Sequence, residues 1–139
     1  MSSFVKFYSF VEAVAEKVHN LGSDTLKIAL TNSAPSQSNT VLADITQISG
    51  TNGYTTGGTA VTITASSQTT GTYKLVGNDV TFTASGGTMG TFRYAVLYND
   101  TAASDELIGY WDRGSTLSLA DTDQCVIDLD GSNGILQIA

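Results

Sequence analysis

The side chains that could act as a nucleophile, a general base or a soft metal ligand are few, and they lie far apart in the sequence. The only histidine is His19 and the only cysteine is Cys125. A nucleophilic triad needs a base beside its nucleophile and a third group that orients the base. A zinc site needs three or four cysteine, histidine or carboxylate ligands. The sequence therefore predicts no catalytic residue, no metal site and no cofactor, and we expect the protein not to be an enzyme.

For both His19 and Cys125, a structural role explains the residue better than a catalytic role. His19 follows a helical segment, where it would cap the helix or pack on the surface, and the helix dipole would favour its charged form. Cys125 lies in the strand-like run Gln-Cys-Val-Ile and is predicted to be a small, buried apolar side chain. With a single cysteine, the chain can form no internal disulfide.

Acidic residues cluster near the C-terminus, at Asp121, Asp123, Asp128 and Asp130, and the last is followed by a glycine-rich turn sequence at 131–134. Calcium binds several carboxylates at short spacing, but this run lacks the acidic positions and the closing glutamate of the twelve-residue calcium loop. Asp-Gly and Asn-Gly pairs are typical of turns. We therefore favour a structural turn over a metal site.

A second group of acids, Asp105, Glu106 and Asp112, lies near Tyr110 and Trp111. Two carboxylates on one cleft wall could cleave glycosides, and aromatic residues beside acids are typical of sugar-binding surfaces. Solvation of an edge strand by acidic residues explains the pattern equally well. A sugar-binding surface and a small hydrolase therefore stay as alternatives.

The run at 50–58 is rich in glycine but lacks the Lys-Ser/Thr ending of a phosphate-binding loop. It is predicted to be a flexible loop. Tyr54 lies at its centre and is a candidate contact residue, because tyrosine combines apolar area with a hydrogen-bonding tip.

The charge distribution excludes two classes of partner. The formal net charge is −7, and the six basic residues are spread along the chain without a cluster. No basic surface is therefore expected to neutralise phosphates, which argues against binding to nucleic acid and to anionic membranes. The negative charge favours solubility and would suit a partner that has basic patches.

The chain of 139 residues has the size of one domain, and we predict a single domain over 1–139. A helix is predicted over 3–20, with Ser2 or Ser3 as its cap and Gly22 at its end. Its apolar residues follow three- and four-residue spacing: Phe4, Phe7, Tyr8, Val11, Val14, Ala15 and Val18.

From 24 to 139 the apolar residues alternate with polar ones, many of them threonine, which is typical of β-strands. We predict about eight strands, a central strand over 92–98, a short helical turn over 41–47, a hairpin turn at Gly77–Asn78 and a final hairpin across 130–134. The predicted class is mainly β (α+β), with an antiparallel β-sandwich or flattened barrel and one N-terminal amphipathic helix.

Two segments carry a resemblance to a known group of proteins: FVEAVAEKVHNLGSDTLKIALTN at 10–32 and FRYAVLYNDTAASDELIGYWD at 92–112. The chain resembles small virion structural proteins of tailed bacteriophages, of the capsid decoration or cement type. The resemblance implies a homo-oligomer, often a trimer, that binds the major capsid protein on the outer shell and stabilises it. It also implies synthesis in the host cytoplasm and location on the virion surface.

We expect the contacts with such partners to come from Phe4, Phe7, Tyr8 and Val11 on the helix and from Tyr54 in the loop. The alternative is a tail or head-fibre adhesin that binds host-surface glycans. That alternative predicts an exposed aromatic and acidic patch at Tyr110, Trp111 and Asp112.

Overall fold

A computed structural model describes residues 3–139, so the suggested capping role of Ser2 lies outside the described residues. Within this range the chain forms ten strands, one α-helix and one short 3-10 turn at Leu42–Asp44. In chain order they are β1 (Val5–Lys6), α1 (Ser9–Ala15), β2 (Leu26–Thr31), β3 (Thr59–Ala60), β4 (Ile63–Thr69), β5 (Thr72–Gly77), β6 (Val80–Thr83), β7 (Phe92–Asn99), β8 (Leu107–Leu117), β9 (Gln124–Ile127) and β10 (Leu136–Ile138).

The strands form three sheets in which every described pairing is antiparallel. The largest has the order β1-β8-β7-β2-β3, the second the order β10-β5-β4, and the third contains β6 and β9. The prediction of a mainly β, sandwich-like α+β fold with antiparallel sheets and one N-terminal helix is confirmed.

Strand β7 lies at the centre of the five-stranded sheet and is buried over most of its length. The main core packs on one face of this sheet, where Leu97 and Ile28 meet side chains of the other sheets, such as Leu75 and Ile127. A smaller core covers the opposite face and contains Phe7, Ala29, Ile45, Val96, Tyr98 and Leu107. Burial on both faces explains why β7 is apolar at nearly every position, as the sequence predicted.

The predicted helix over 3–20 is wrong in its limits, because its first residues form a strand. Val5 and Lys6 pair with Tyr110 and Gly109 on the free edge of β8, and this satisfies backbone groups that a helix start would leave without partners. Helix α1 therefore begins at Ser9, with Tyr8 as its N-cap residue.

The C-terminal end of α1 also differs from the prediction, since the helix stops at Ala15 rather than near Gly22. Lys17 has a φ of 69°, which is the left-handed conformation typical of helix ends. The backbone N–H of Val18 then donates to the carbonyl of Ala13 at 2.9 Å. A lysine thus takes the position for which the sequence suggested a glycine.

Two predicted hairpins are also wrong. The chain reverses direction at Thr70 and Gly71, both with positive φ, so that β4 and β5 form a hairpin. The other neighbour of β5 is β10. Gly77–Asn78 is therefore a connection between sheets, because β6 pairs with β9. Likewise, the segment 130–134 joins strands of different sheets. Strand β8 is continuous from Leu107 to Leu117.

Candidate docking surface

Helix α1 exposes apolar side chains on the side that faces away from the sheets. Tyr8, its N-cap residue, is 63% exposed and Val11 is 54% exposed, while Phe10 and Ala13 on the other side are buried. Ala15 is also exposed, and the spacing of three and four residues places it beside Val11. We call Tyr8, Val11 and Ala15 the α1 face. An apolar helix side of this kind is typical of an interaction surface.

An open groove of about 600 Å³ adjoins the α1 face at Ala15 and runs between the end of α1 and the sheet that contains β5 and β10. Its apolar lining comes from Val14, Ala15, Val18, Leu21, Tyr73 and Ile138, and its polar lining includes Lys17, Asp24 and Ser66. Val18 and Ile138 are themselves exposed. The α1 face and the groove thus form one apolar surface across two parts of the fold.

The sequence-predicted contact residues do not all reach this surface. Tyr8 and Val11 lie on it. Phe4 is partly buried, with its ring 5.1 Å from that of Trp111. Phe7 is fully buried and packs on Tyr110 at 5.3 Å between ring centroids. Phe7 therefore contributes to the chain's own core and offers no side-chain surface to a partner in this conformation.

Tyr54 is also in the core, with 2% of its surface exposed. Its hydroxyl oxygen accepts the backbone N–H of Leu30 at 3.1 Å and donates to Oε1 of Gln47 at 2.6 Å. The same Gln47 oxygen accepts the backbone N–H of Gly57. These bonds hold the glycine-rich loop against the sheet, so Tyr54 orders a loop for which the sequence predicted flexibility.

His19 lies at the base of the groove in a buried polar cluster, with 8% of its surface exposed. Nδ2 of Asn99 donates to Nδ1 of His19 at 2.9 Å and to Oδ2 of Asp24 at 2.7 Å. Oδ1 of Asn99 accepts the backbone N–H groups of Thr101 and Ala102. These four contacts fix the orientation of the Asn99 amide. If the amide were flipped, its NH₂ group would point at the backbone N–H groups of Thr101 and Ala102, which are also donors.

This orientation has a chemical consequence for His19. Its Nδ1 atom serves as an acceptor, so the proton of the neutral ring is on Nε2. Burial lowers the pKa of His19, while the charges of Glu106 and Asp24 act in the opposite direction. Within residues 3–139, Nε2 of His19 and Oε2 of Glu106 are buried without a hydrogen-bond partner. The bonds of Asn99 connect the segment after α1 to the end of β7, which is a structural role different from the predicted helix cap or surface position.

Cys125 is half-buried in β9, and burial raises the pKa of its thiol. A raised pKa lowers the fraction of the nucleophilic thiolate at neutral pH. The described part of the chain contains no group of three or more His, Cys, Asp or Glu residues arranged to hold a metal ion.

Three of the four C-terminal acids accept backbone hydrogen bonds in the structure. Asp121 accepts the backbone N–H of Gly86, and Asp123 accepts that of Ala120. Oδ1 of Asp130 accepts the backbone N–H groups of Ser132 and Asn133, both at 2.8 Å. These bonds lower the pKa of Asp130. The local bonds of Asp123 and Asp130 are typical of turns, whereas Asp121 connects its segment to the distant Gly86.

The exposed aromatic and acidic patch expected for a sugar-binding surface is not formed at Tyr110, Trp111 and Asp112. Trp111 is 5% exposed and packs on the ring of Phe4. Asp112 accepts two hydrogen bonds from the guanidinium group of Arg93, at 2.8 and 3.1 Å. Because successive residues of a strand point to opposite faces, Trp111 enters the core while its two neighbours point away from it.

None of the helices among residues 3–139 is both long and apolar enough to span a bilayer. Comparisons of the chain with protein-family models, with curated proteins and with solved structures gave no match.

Proposed function

We propose that this protein works by docking, as a structural component of a tailed-phage virion, and that it decorates the capsid as a homo-oligomer. The virion setting is supported by the resemblance of residues 10–32 and 92–112 to phage structural proteins. The docking role is supported by one feature of the structure, the apolar surface formed by the α1 face and the adjoining groove.

The α1 face is suited to docking because it is available without unfolding. Phe10 and Ala13 already pack into the fold, so Tyr8 and Val11 can meet a partner while α1 stays in place. Removal of apolar surface from water stabilises such a contact by about 25 cal/mol per Å² before the costs of association are counted. The major capsid protein is the partner that we propose for this surface.

The charge of the chain fits a partner of opposite sign. With a net charge of −7, the chain as a whole would be attracted to a capsid surface that carries basic patches and would approach it faster at low salt. Many copies bound at repeated lattice sites would bind with an avidity that exceeds the affinity of a single contact. Stabilisation of the shell would follow if each copy contacts more than one capsid subunit.

Purified particles of the phage that we propose as the source of this chain provide the test. Mass spectrometry measures how many copies each particle contains, and cryo-electron microscopy shows where they lie. We expect many copies at repeated positions on the outer capsid surface. Copies confined to the tail would exclude the decoration role, and particles that lack the chain would exclude a virion role altogether.

A second candidate function, glycan binding by a fibre component, is favoured by one observation. A recess of about 300 Å³ is lined by Asp128 and Asp130, whose carboxylates could accept hydrogen bonds from sugar hydroxyls, while Trp111 borders it with only the 5% of its surface that is exposed. Titration of the purified protein with a glycan array tests this candidate. Binding that is lost in Asp128→Asn would support it, and no binding to any glycan would exclude it.

A further inference from the structure

Strand β4 is the longest edge strand in the part of the chain that the structure describes. It has seven residues, whereas the other edge strands β1 and β3 have two each, β10 has three, and β6 and β9 have four each. Natural proteins keep exposed edges short because the free backbone N–H and C=O groups of an edge can pair with another chain. The length of β4 is therefore an exception within its own fold.

The edge of β4 is also open to solvent. Ile63 is half-buried, and the other six residues of the strand are exposed. A register irregularity lies at the base of the strand, between Ile63 and Ala65. From Ala65 to Thr69 the strand pairs regularly with β5. Five consecutive residues thus present a regular free edge to solvent.

No charged residue lies on this edge, and Lys74, the cross-strand neighbour of Ser67 in β5, donates to the carbonyl oxygen of Ser132. The whole segment between Asp44 and Lys74 lacks Asp, Glu, Lys, Arg and His, although the chain has a net charge of −7. Lysine and proline are the usual residues that prevent pairing at an edge, and β4 contains neither. When two copies of this acidic chain approach each other, the uncharged edge is where their mutual repulsion is weakest.

We propose that β4 pairs antiparallel with β4 of a second copy of this chain, so that the two three-stranded sheets join into one. In a pairing centred on Ser67, this residue lies opposite itself, Ser66 lies opposite Gln68, and Ala65 lies opposite Thr69. All of these side chains are small or polar and uncharged, so the edge is self-complementary. The contact is isologous and gives a twofold dimer.

This proposal stands independently of the virion setting, because it rests on the edge strand alone. It differs from the trimer that the resemblance implies, since a threefold assembly would need a contact between two different surfaces. Failure of the β4 pairing would leave the detection of the chain in virions unaffected, so the two proposals can be tested separately.

The test is the oligomeric state of the purified full chain, measured by analytical ultracentrifugation over a range of concentrations. We expect a dimer for the wild type. Ser67→Asp and Ser67→Lys each place like charges opposite each other and should weaken the dimer about fivefold. A mixture of the two variants places opposite charges together and should form a heterodimer at least as stable as that of the wild type.

Thr81→Asp and Thr81→Lys are the matched controls, because Thr81 is an exposed residue of a strand in another sheet. They should dimerise like the wild type. Circular dichroism confirms that each variant is folded. A monomeric wild type, a trimer, or a dimer that tolerates both charges at Ser67 would overturn the proposal, and so would variants that fail to pair when mixed.

Discussion

At the scale of single residues, the hydroxyl group of Tyr54 accepts a backbone hydrogen bond of the five-stranded sheet that no neighbouring strand accepts. Strand β3 has only two residues, Thr59 and Ala60, which pair with Ile28 and Lys27 of β2. The next outward-facing backbone N–H of β2, that of Leu30, is bonded by the Tyr54 hydroxyl. A buried N–H group without a partner is costly, which explains why the loop is held against the sheet.

Tyr54→Phe should lower the free energy of unfolding by about 1–3 kcal/mol, because it leaves the buried N–H of Leu30 without its acceptor. Tyr8→Phe is the matched control: its side chain is exposed, and its change should be below about 0.5 kcal/mol. Urea denaturation measures both. Equal values for the two variants would contradict the role given to the Tyr54 hydroxyl.

His19 is the residue for which the sequence was least informative. Its position after a helical segment predicted a cap or a surface side chain, but its hydrogen-bond partner Asn99 is eighty positions away in the chain. Spacing along the sequence contains no signal for such a contact. Protonation of Nδ1 would place two donors against each other, since the Asn99 amide cannot turn without losing its bonds to Asp24, Thr101 and Ala102.

The stability of the protein should therefore depend on pH through His19. Its folded-state pKa is lowered, so the unfolded chain takes up a proton before the folded chain does. The stabilising contribution is complete above the unfolded pKa of about 6.5 and is lost as the pH falls toward the folded-state pKa, by at most about 1.4 kcal/mol per pH unit. Urea denaturation at several pH values between about 7 and about 5 measures this loss.

His19→Asn is the informative variant for this effect, because it keeps an acceptor for Asn99 and removes the titrating ring. We expect it to be less stable than the wild type at neutral pH, through loss of packing on Phe10, and to have a flatter pH dependence above about pH 5. The same slope in both proteins would show that other groups cause the effect.

At the scale of elements, the position of β1 depends on a glycine in the neighbouring strand. A Cβ atom at Gly109 would overlap the ring of Phe4, the residue that precedes β1 and packs on Trp111. The sequence pattern includes Phe4 in a helical stripe, and it contains no sign that a glycine in residues 107–111 leaves space for that ring.

Gly109→Ala should therefore destabilise the fold by about 1–3 kcal/mol, because the added methyl group forces the Phe4 ring out of its place. Gly131→Ala is the control, since a Cβ atom there meets no heavy atom within 4 Å. Both changes reduce the entropy of the unfolded chain similarly. Thermal unfolding compares them, and a Gly109→Ala protein as stable as the control would contradict this packing.

Among the elements, sequence patterns predicted where strands lie but not how the strands pair. The alternation at Val80 and Phe82 correctly predicts a strand with one buried face, and the apolar run at 92–98 correctly predicts a central strand. Pairing was not predictable from turn residues. Gly77–Asn78 resembles a hairpin turn, but the hairpin is at Thr70 and Gly71, where a threonine adopts a positive φ that its side chain disfavours.

At the scale of the whole molecule, the exposed apolar surface is assembled from distant parts of the chain. The α1 face and the groove combine residues from the two ends of the chain, since Val11 and Ile138 both contribute. Helical spacing predicted Tyr8 and Val11, because those positions are periodic. It also included Phe7, which the fold buries, and it missed Ile138, because only the packing of β10 near the end of α1 brings that residue to the surface.

The uncharged segment between Asp44 and Lys74 is the other large-scale feature. In an acidic chain, two copies repel each other least where their surfaces carry no charge, and β4 contains no charged residue. We infer that the two surfaces have separate roles, with β4 for a second copy and the α1 face for the capsid.

The most direct test of the docking account is the incorporation of Val11→Asp into virus particles. Val11 is the third residue of α1 and is exposed, so an aspartate there suits the helix N-terminus. Cryo-electron microscopy and quantitative mass spectrometry measure the occupancy of capsid sites, with Thr81→Asp as the control for added charge. We predict that the wild type and the control occupy the capsid surface and that Val11→Asp is largely lost from it. Equal occupancy for all three proteins would contradict the account, as would a wild type that does not reach the capsid.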